Sequence, residues 1–306
     1  MAATRSFKAK HETLYASERE CARYDEELCR KQDHAGNIVA ELRTVAPHLF
    51  SEDGALACAA AADIGCGTGK LARLLTRHGC SSVAAFDRSA EVVAVARAAD
   101  EHDEARVTYV VADQCSLPLA NGSVDLAIAG WSISYLKSEH ETWNHADGTY
   151  GGAWREEVDR ALGEMERVLR PGGVAVVLET MGTATDAPQR DGSHLYAHYR
   201  ARGFGQRLVR TDYSFESKRQ ALVTLRFFFG RGVARRAEAL LADAADADGP
   251  CIVPECTGMW WRRKRADDVG RKEDSSPAFL AVAVVALVAA VAVVLATTAR
   301  RRAVLR

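Results

Sequence analysis

The chain of 306 residues carries 40 Lys plus Arg against 41 Asp plus Glu, a formal charge of -1, so there is no basic excess to favour nucleic acid as a partner. Its eight cysteines (Cys21, Cys29, Cys58, Cys66, Cys80, Cys115, Cys251 and Cys256) form no C-x-x-C pair, which indicates neither a zinc site nor a dense disulfide framework. The length accommodates one large α/β domain with additions, and the first residues (Arg5, Lys8, Lys10, Glu12) lack the apolar core of a signal peptide.

Residues 7 to about 45 read as two helical segments, the second starting near Asp33, carrying Ile38, Val39, Leu42 and Val45 at helical spacing, and ended by Pro47. Tyr15, Tyr24 and His34 in this stretch are open to two readings, as cover for a ligand or as ordinary packing and surface groups. Apolar sequence then leads into Asp63-Ile64-Gly65-Cys66-Gly67-Thr68-Gly69, and Lys70 to Leu75 continues with a helical pattern. That is a strand, a tight glycine turn and a helix, whose N-terminus suits a nucleotide-like cofactor. Gly67 to Ala72 also fits the loose dinucleotide fingerprint G-x-G-x-x-G/A. Asp63, however, would repel a pyrophosphate and favour a cationic ligand end. The turn alone leaves both ligands open.

Ser82 to Asp87 is a second short strand closing in an acid, followed by a helix from Ala90 to Asp100. Asp87 stands about 20 residues beyond the glycines, as an acid that accepts hydrogen bonds from ribose hydroxyls does. Arg106 to Ala112 is a third strand, and the Asp113-Gln114 pair after it matches the donor and acceptor edge of adenine. A turn at Asn121-Gly122 leads to a fourth strand, Val124 to Ala129. Gly130 to Leu136 then lies at its carboxyl end, where ligands gather in open parallel sheets. Residues 137 to 153 read as a polar, irregular insertion over the site, and Trp154 to Leu169 as an amphipathic helix. Pro171-Gly172-Gly173 turns into a fifth strand, Val174 to Leu178, ending at Glu179-Thr180. Later come a helix at 194 to 202, a strand at Leu208 to Tyr213, one or two helices at 216 to 244, and a last strand at Cys251 to Trp261 with Pro254 at its start or at a bulge.

The ordered set of Asp63 to Gly69, Asp87, Asp113 with Leu117-Pro118, Asn121-Gly122-Ser123-Val124-Asp125 and Glu166 to Gly173 resembles the class I S-adenosylmethionine-dependent methyltransferases, in particular the small-molecule enzymes of the quinone-biosynthesis type. The resemblance covers residues 56 to 180 well. It implies a Rossmann-like α/β fold: a seven-stranded, mostly parallel sheet with helices on both faces and one antiparallel strand near the C-terminus. It also implies S-adenosylmethionine as cofactor and a small-molecule acceptor. Gly65, Gly67 and Gly69 are expected to pass under the cofactor, Asp63 to hold its amino end directly or through water, Asp87 its ribose, Asp113 and Gln114 its adenine, and Gly130 and Trp131 to flank its methionine part, with Cys66 and Arg88 also among the cofactor-binding residues. Tyr135 and Glu179 are expected in the acceptor pocket, no catalytic base is assigned among Tyr135, His140, His145, Glu179 and His194, and no metal is expected. Competing readings are a protein methyltransferase, a cofactor-binding module without catalysis, and a nicotinamide-dependent reductase using Gly67 to Ala72.

The C-terminus differs in kind. From Ala278 to Ala299 every residue is apolar, Ala or Thr, and about 20 such residues at 1.5 Å rise match a hydrocarbon core of roughly 30 Å. The expected organisation is therefore a helical cap (1–50), a methyltransferase domain (51–263), a basic linker (264–277), a transmembrane helix (278–299) and a short basic tail (300–306). Basic residues before the span, Arg262 to Arg265 with Arg271 and Lys272, place the enzyme domain on the cytosolic side of a single-pass C-terminal anchor.

Overall fold

The computed structural model describes residues 17–100, 106–144, 149–190, 192–242 and 248–265. Tyr15, His145 and the expected span at 278–299 lie outside these residues. Among the described residues no helix is long and apolar enough to cross a membrane.

Seven strands form one sheet: β1 (Ala61–Ile64), β2 (Val83–Asp87), β3 (Val107–Val111), β4 (Val124–Gly130), β7 (Leu169–Thr183), β8 (Gly205–Arg210) and β11 (Glu255–Arg263). Their order is β3-β2-β1-β4-β7-β11-β8. Strands β1 to β4 and β7 pair in parallel, and β11 runs antiparallel to both β7 and β8. A two-residue period sorts the side chains. Leu126, Ile128, Val174 and Val176 enter one core, and Ala127, Ala129, Ala175 and Val177 enter the other.

Helices α2 (Asn37–Val45) and α3 (Lys70–Arg77) cover the first face through Ile38, Leu42, Leu71 and Leu75, joined by Val93 and Ala96 of α4 (Ala90–Ala99). The second face lies under α5 (Ile133–His140), α6 (Trp154–Val168) and α7 (His194–Ala201). In α6 the buried residues Trp154, Val158, Ala161, Leu162, Met165 and Val168 make one continuous apolar stripe. A smaller third core joins β9 (Tyr213–Phe215), β10 (Cys251–Val253), α8 (Lys218–Phe229) and α9 (Arg231–Leu240) to Leu28 and Ala184.

The first described helix, α1 (Glu18–Glu27), is fastened to the glycine turn by one buried acid. Asp25 accepts from Thr68 Oγ1 at 2.6 Å and pairs with Arg30 at 2.6 Å and Arg73 at 3.2 Å.

Three expectations change. The stretch at 137–153 is not an irregular insertion: α5 starts at Ile133 because Ile133 and Leu136 enter the core, and a hairpin of β5 (Thr142–Asn144) and β6 (Thr149–Gly151) follows. The expected last strand is two strands. Pro254 separates β10 from β11, with its carbonyl accepting from Ala184 N at 2.8 Å. The strand expected at 208–213 starts earlier, at Gly205, and Tyr213 belongs to a separate short strand.

Candidate functional site

A cavity of about 540 Å³ lies at the carboxyl ends of β1 to β4, within the size range of small-molecule sites. Eleven of the thirteen residues expected from the sequence border it: Asp63, Gly65, Cys66, Gly67, Asp87, Arg88, Asp113, Gln114, Gly130, Trp131 and Tyr135. Gly69 and Glu179 do not.

The three glycines have different jobs. At Gly67 (φ +53°) an added Cβ would meet nothing within 4 Å, so this Cα presents bare main chain to the open space. At Gly69 (φ +86°) a Cβ would fall 2.3 Å from Tyr109 Oη, and at Gly65 it would strike Ser132. Those two positions are glycine because the protein itself packs against them, whereas Gly67 leaves room for a ligand.

Asp63 is fully buried. Its Oδ2 accepts from Ala72 N at 2.9 Å, satisfying one of the free amides in the first turn of α3. Its Oδ1 has no hydrogen-bond partner among the described residues. Burial, reinforced by the nearby Asp87 carboxylate, pushes the Asp63 carboxyl up to about 7. Asp87 holds the next strand end: Oδ2 accepts from Gly67 N at 2.9 Å and Oδ1 from Ser89 N at 3.0 Å, and burial raises this carboxyl too. Each oxygen keeps a lone pair for a further donor. The N-cap role for α4 falls to Ser89, whose Oγ accepts from Val92 N at 3.3 Å.

On the next strand, Asp113 Oδ1 accepts from Cys115 N at 2.7 Å, and Gln114 Oε1 is buried with no partner among the described residues. Arg88 forms a two-pronged ion pair with Glu139 of α5, one prong at 2.8 Å. At the end of β4, Trp131 has the left-handed φ of +54°, held there by its N–H donating to Leu178 O at 2.6 Å.

Lys70 was hidden in the sequence, where it reads as an ordinary first-turn helix residue. Its ammonium lies 5.0 Å from the centroid of the Trp131 ring and donates to Gln32 Oε1 at 2.8 Å. Burial holds it down to about 8. Tyr24 and Cys29 of the N-terminal segment also border the cavity, as do Glu139 and His140 of α5 and Glu157 and Arg160 of α6. The sequence leaves the roles of Tyr24 and His140 open, whereas no motif announces Cys29, Glu139, Glu157 and Arg160, which come from elements the fold brings over the strand ends.

The expectation for Glu179 is corrected. Its Oε1 accepts from Ser134 N at 2.8 Å, so it serves the N-terminus of α5, and burial pushes its carboxyl up to about 7. Tyr135 does border the cavity, with burial and Glu179 holding its phenol protonated well above the usual range.

The donor set fits an adenosine-containing sulfonium cofactor. A buried carboxylate oxygen lacks a partner where an ammonium would sit, an acid closes β2 where ribose hydroxyls would sit, and an amide oxygen without a partner waits after β3 for an exocyclic amine.

Residues 62–177 match the family model described as a methyltransferase domain. Malonyl-[acyl-carrier protein] O-methyltransferase of Pectobacterium atrosepticum is 35% identical over 112 residues, 37% of this chain and 35% of that protein. The corresponding protein of Hahella chejuensis is 33% identical over 124 residues, 40% of this chain and 37% of its own. The chain thus matches little more than a third of the length of these curated relatives. Among solved structures, phosphoethanolamine N-methyltransferase 2 of Haemonchus contortus, bound to phosphomonomethylethanolamine and S-adenosylhomocysteine, aligns over 85% of this chain and 60% of its own. Its TM-score is 0.51 at 17% identity, a likeness of fold.

Proposed function

Because the chain carries a class I S-adenosylmethionine-dependent methyltransferase domain, we propose that it transfers a methyl group from that cofactor to a small acceptor, and that residues 278–299 hold the enzyme at a membrane as a single-pass C-terminal anchor with the catalytic domain on the cytosolic side. The observation that carries the catalytic reading is the juxtaposition of the bare Gly67 main chain with the partnerless Oδ1 of Asp63 and the Asp87 carboxylate in one cavity. The methyl donor supplies an electrophilic carbon on a sulfonium, and the chain's task is to hold and enclose it.

Asp63 takes the amino end of the cofactor and Lys70 offers the ammonium for its carboxylate. Asp87 accepts from the ribose hydroxyls, and Asp113 with Gln114 takes the adenine edge. Gly65 and Cys66 continue the floor beside Gly67, Arg88 braces the ribose end through Glu139, and Gly130 and Trp131 flank the methionine part. The N-terminal segment, through Tyr24 and Cys29, closes the cavity from above and keeps water from the reacting centre. In-line transfer needs the acceptor atom held near the methyl group, and positioning of that kind supplies much of the acceleration. Tyr135, at the cavity wall after β4, borders the acceptor side. Its protonated phenol suits it to orient an acceptor oxygen by donating a hydrogen bond, not to abstract a proton.

The reading is tested with S-adenosylmethionine labelled in the methyl group, supplied with membrane-lipid extracts in one arm and protein extracts in another. Label in the extractable lipophilic fraction is expected. Label on polypeptide alone overturns the small-acceptor proposal, and saturable cofactor binding without transfer to either extract overturns catalysis.

A further inference from the structure

A second hollow, of about 420 Å³, opens on the outer side of α3. Lys70, Arg73, Leu74 and Arg77 form one wall, at i, i+3, i+4 and i+7 on a single helix face. The N-terminal segment forms the other with Asp25, Arg30, Gln32, Asp33 and His34. Cys29 and Lys70 border both this groove and the cofactor cavity, so the two adjoin at those residues.

Four cationic groups (Arg30, Lys70, Arg73, Arg77) face two carboxylates (Asp25, Asp33), an excess of two positive charges with His34 neutral. Both carboxylates are already engaged. Asp25 is shared by Arg30, Arg73 and Thr68, and Asp33 accepts from the backbone N–H groups of Asn37 at 2.9 Å and Ile38 at 3.3 Å, at the start of α2. Arg77 donates its Nε to Arg73 O at 3.1 Å, and Lys70 has the neutral Gln32 amide at 2.8 Å. Neither has a carboxylate partner within ion-pair distance among the described residues. Lys70 feels Asp33 and Asp25 at longer range and faces the cofactor carboxylate when that cavity is filled. Among the described residues Arg77 is therefore the cation of the groove left without a counter-charge, and a guanidinium matches phosphate oxygens in geometry as well as charge.

We propose that this groove is an anion subsite that takes a phosphoester group of the methyl acceptor, presenting the rest of the acceptor to the adjoining cavity. The word acceptor rests on the methyltransferase reading. Binding of the phosphoester does not.

The test uses the full chain in detergent, saturated with S-adenosylhomocysteine so that the cofactor cavity is filled, and titrated in a calorimeter with glycerol 3-phosphate. Saturable one-site binding is expected, weakening with added salt and falling by about tenfold in Arg77→Ala and in Arg77→Gln, the loss of one charged hydrogen-bonding partner. Affinity should be unchanged in Arg219→Ala, an exposed arginine of α8. Absence of saturable binding, or equal binding by the Arg77 variants and the parent, overturns the subsite. So does binding that disappears once S-adenosylhomocysteine is loaded, because the anion would then have occupied the cofactor cavity. S-adenosylhomocysteine affinity, measured in the same preparation, shows whether the cofactor reading stands independently. A parallel titration with dihexanoyl phosphatidate identifies the source: tighter binding than glycerol 3-phosphate supports a lipid headgroup, and equal binding supports a soluble phosphoester.

Discussion

Two walls face each other across the cavity, and they are built differently. The β1 to β4 wall takes its contacts from strand ends in succession: Asp63, Gly67, Asp87, Gln114 and Gly130 are each set by sheet register and held by backbone hydrogen bonds or by a neighbouring main-chain turn. The opposing wall comes from the N-terminal segment, α5 and α6, and is fastened by long side chains, with Arg88 to Glu139 and Asp25 to Arg30 and Arg73 as the ties. Main-chain register leaves little freedom, whereas the half-exposed Arg88–Glu139 pair, unlike the buried Asp25 tie, contributes little energy and rearranges readily. The first wall therefore suits a ligand held in one fixed pose, and the second leaves room for adjustment around Arg88 and Glu139.

The comparison breaks first at Asp25. Replacing it with alanine should destabilise the protein by about 2–4 kcal/mol in urea unfolding, because Arg73 is left largely buried beside Thr68 without its counter-charge. Stability unchanged to within experimental error would mean the cap is not tied down through this residue. On the register-built wall, Asp87→Ala should weaken S-adenosylhomocysteine binding by about 1.5–3 kcal/mol in calorimetry, the worth of hydrogen bonds to a charged group. Unchanged affinity would remove Asp87 from the site.

The glycines sharpen the contrast within one loop. Gly69→Ala should cost about 1–3 kcal/mol of folding stability through its left-handed backbone and the clash with Tyr109. Gly67→Ala should cost less in stability yet lose cofactor affinity, so thermal melts and calorimetry should rank the two variants in opposite orders. A smaller effect concerns pH. Asp63 must be ionised to hold an ammonium, and its carboxyl is raised to about 7, so affinity for S-adenosylhomocysteine should rise by about fivefold between pH 6 and 7. It should level off toward pH 8, where Lys70, held down to about 8, loses the charge that faces the cofactor carboxylate. The profile should flatten in Asp63→Asn. The sign for folding is opposite: a carboxyl raised in the folded state stabilises fully below its unfolded value near 4, and that contribution is lost as pH rises to about 7. The smallest effect is expected from deleting residues 277–306, which should release the protein from membranes and leave cofactor affinity as it was. Loss of folding would overturn the anchor.

The same division explains how much could be read from the amino acids alone. Asp63, Asp87 and the Asp113-Gln114 pair were legible because each ends an apolar run, and a parallel sheet puts all such ends on one edge. The antiparallel final strand came from the resemblance, not from any residue pattern. Lys70 was not legible, since its role depends on Trp131 folding back over it from β4. Glu179 closes an apolar run in the sequence like the other acids, but it lies inside β7, just past the Leu178 that pairs with Gly130, and the helix after Trp131 claims its oxygen. No local pattern distinguishes an acid that serves a ligand from one that serves a helix. The 137–153 stretch misled because its polar composition hid two core contacts, Ile133 and Leu136, lying just ahead of it.

The reversed direction of β11 has a practical consequence. Glu255 begins the strand beside Thr183, on the edge where the cavity opens, and Arg263 ends it beside Val174, on the opposite edge. There Lys264 is locked in place: its N–H donates to Gly173 O at 2.8 Å, and its ammonium donates to Glu166 O at 2.8 Å and Leu169 O at 2.7 Å at the end of α6. The described chain thus leaves the domain from underneath. A sensor surface coupled through an affinity tag placed after Arg265 would grip the enzyme by its base, keep the mouth of the cavity turned toward the flowing solution, and allow ligands to be injected over a single orientation.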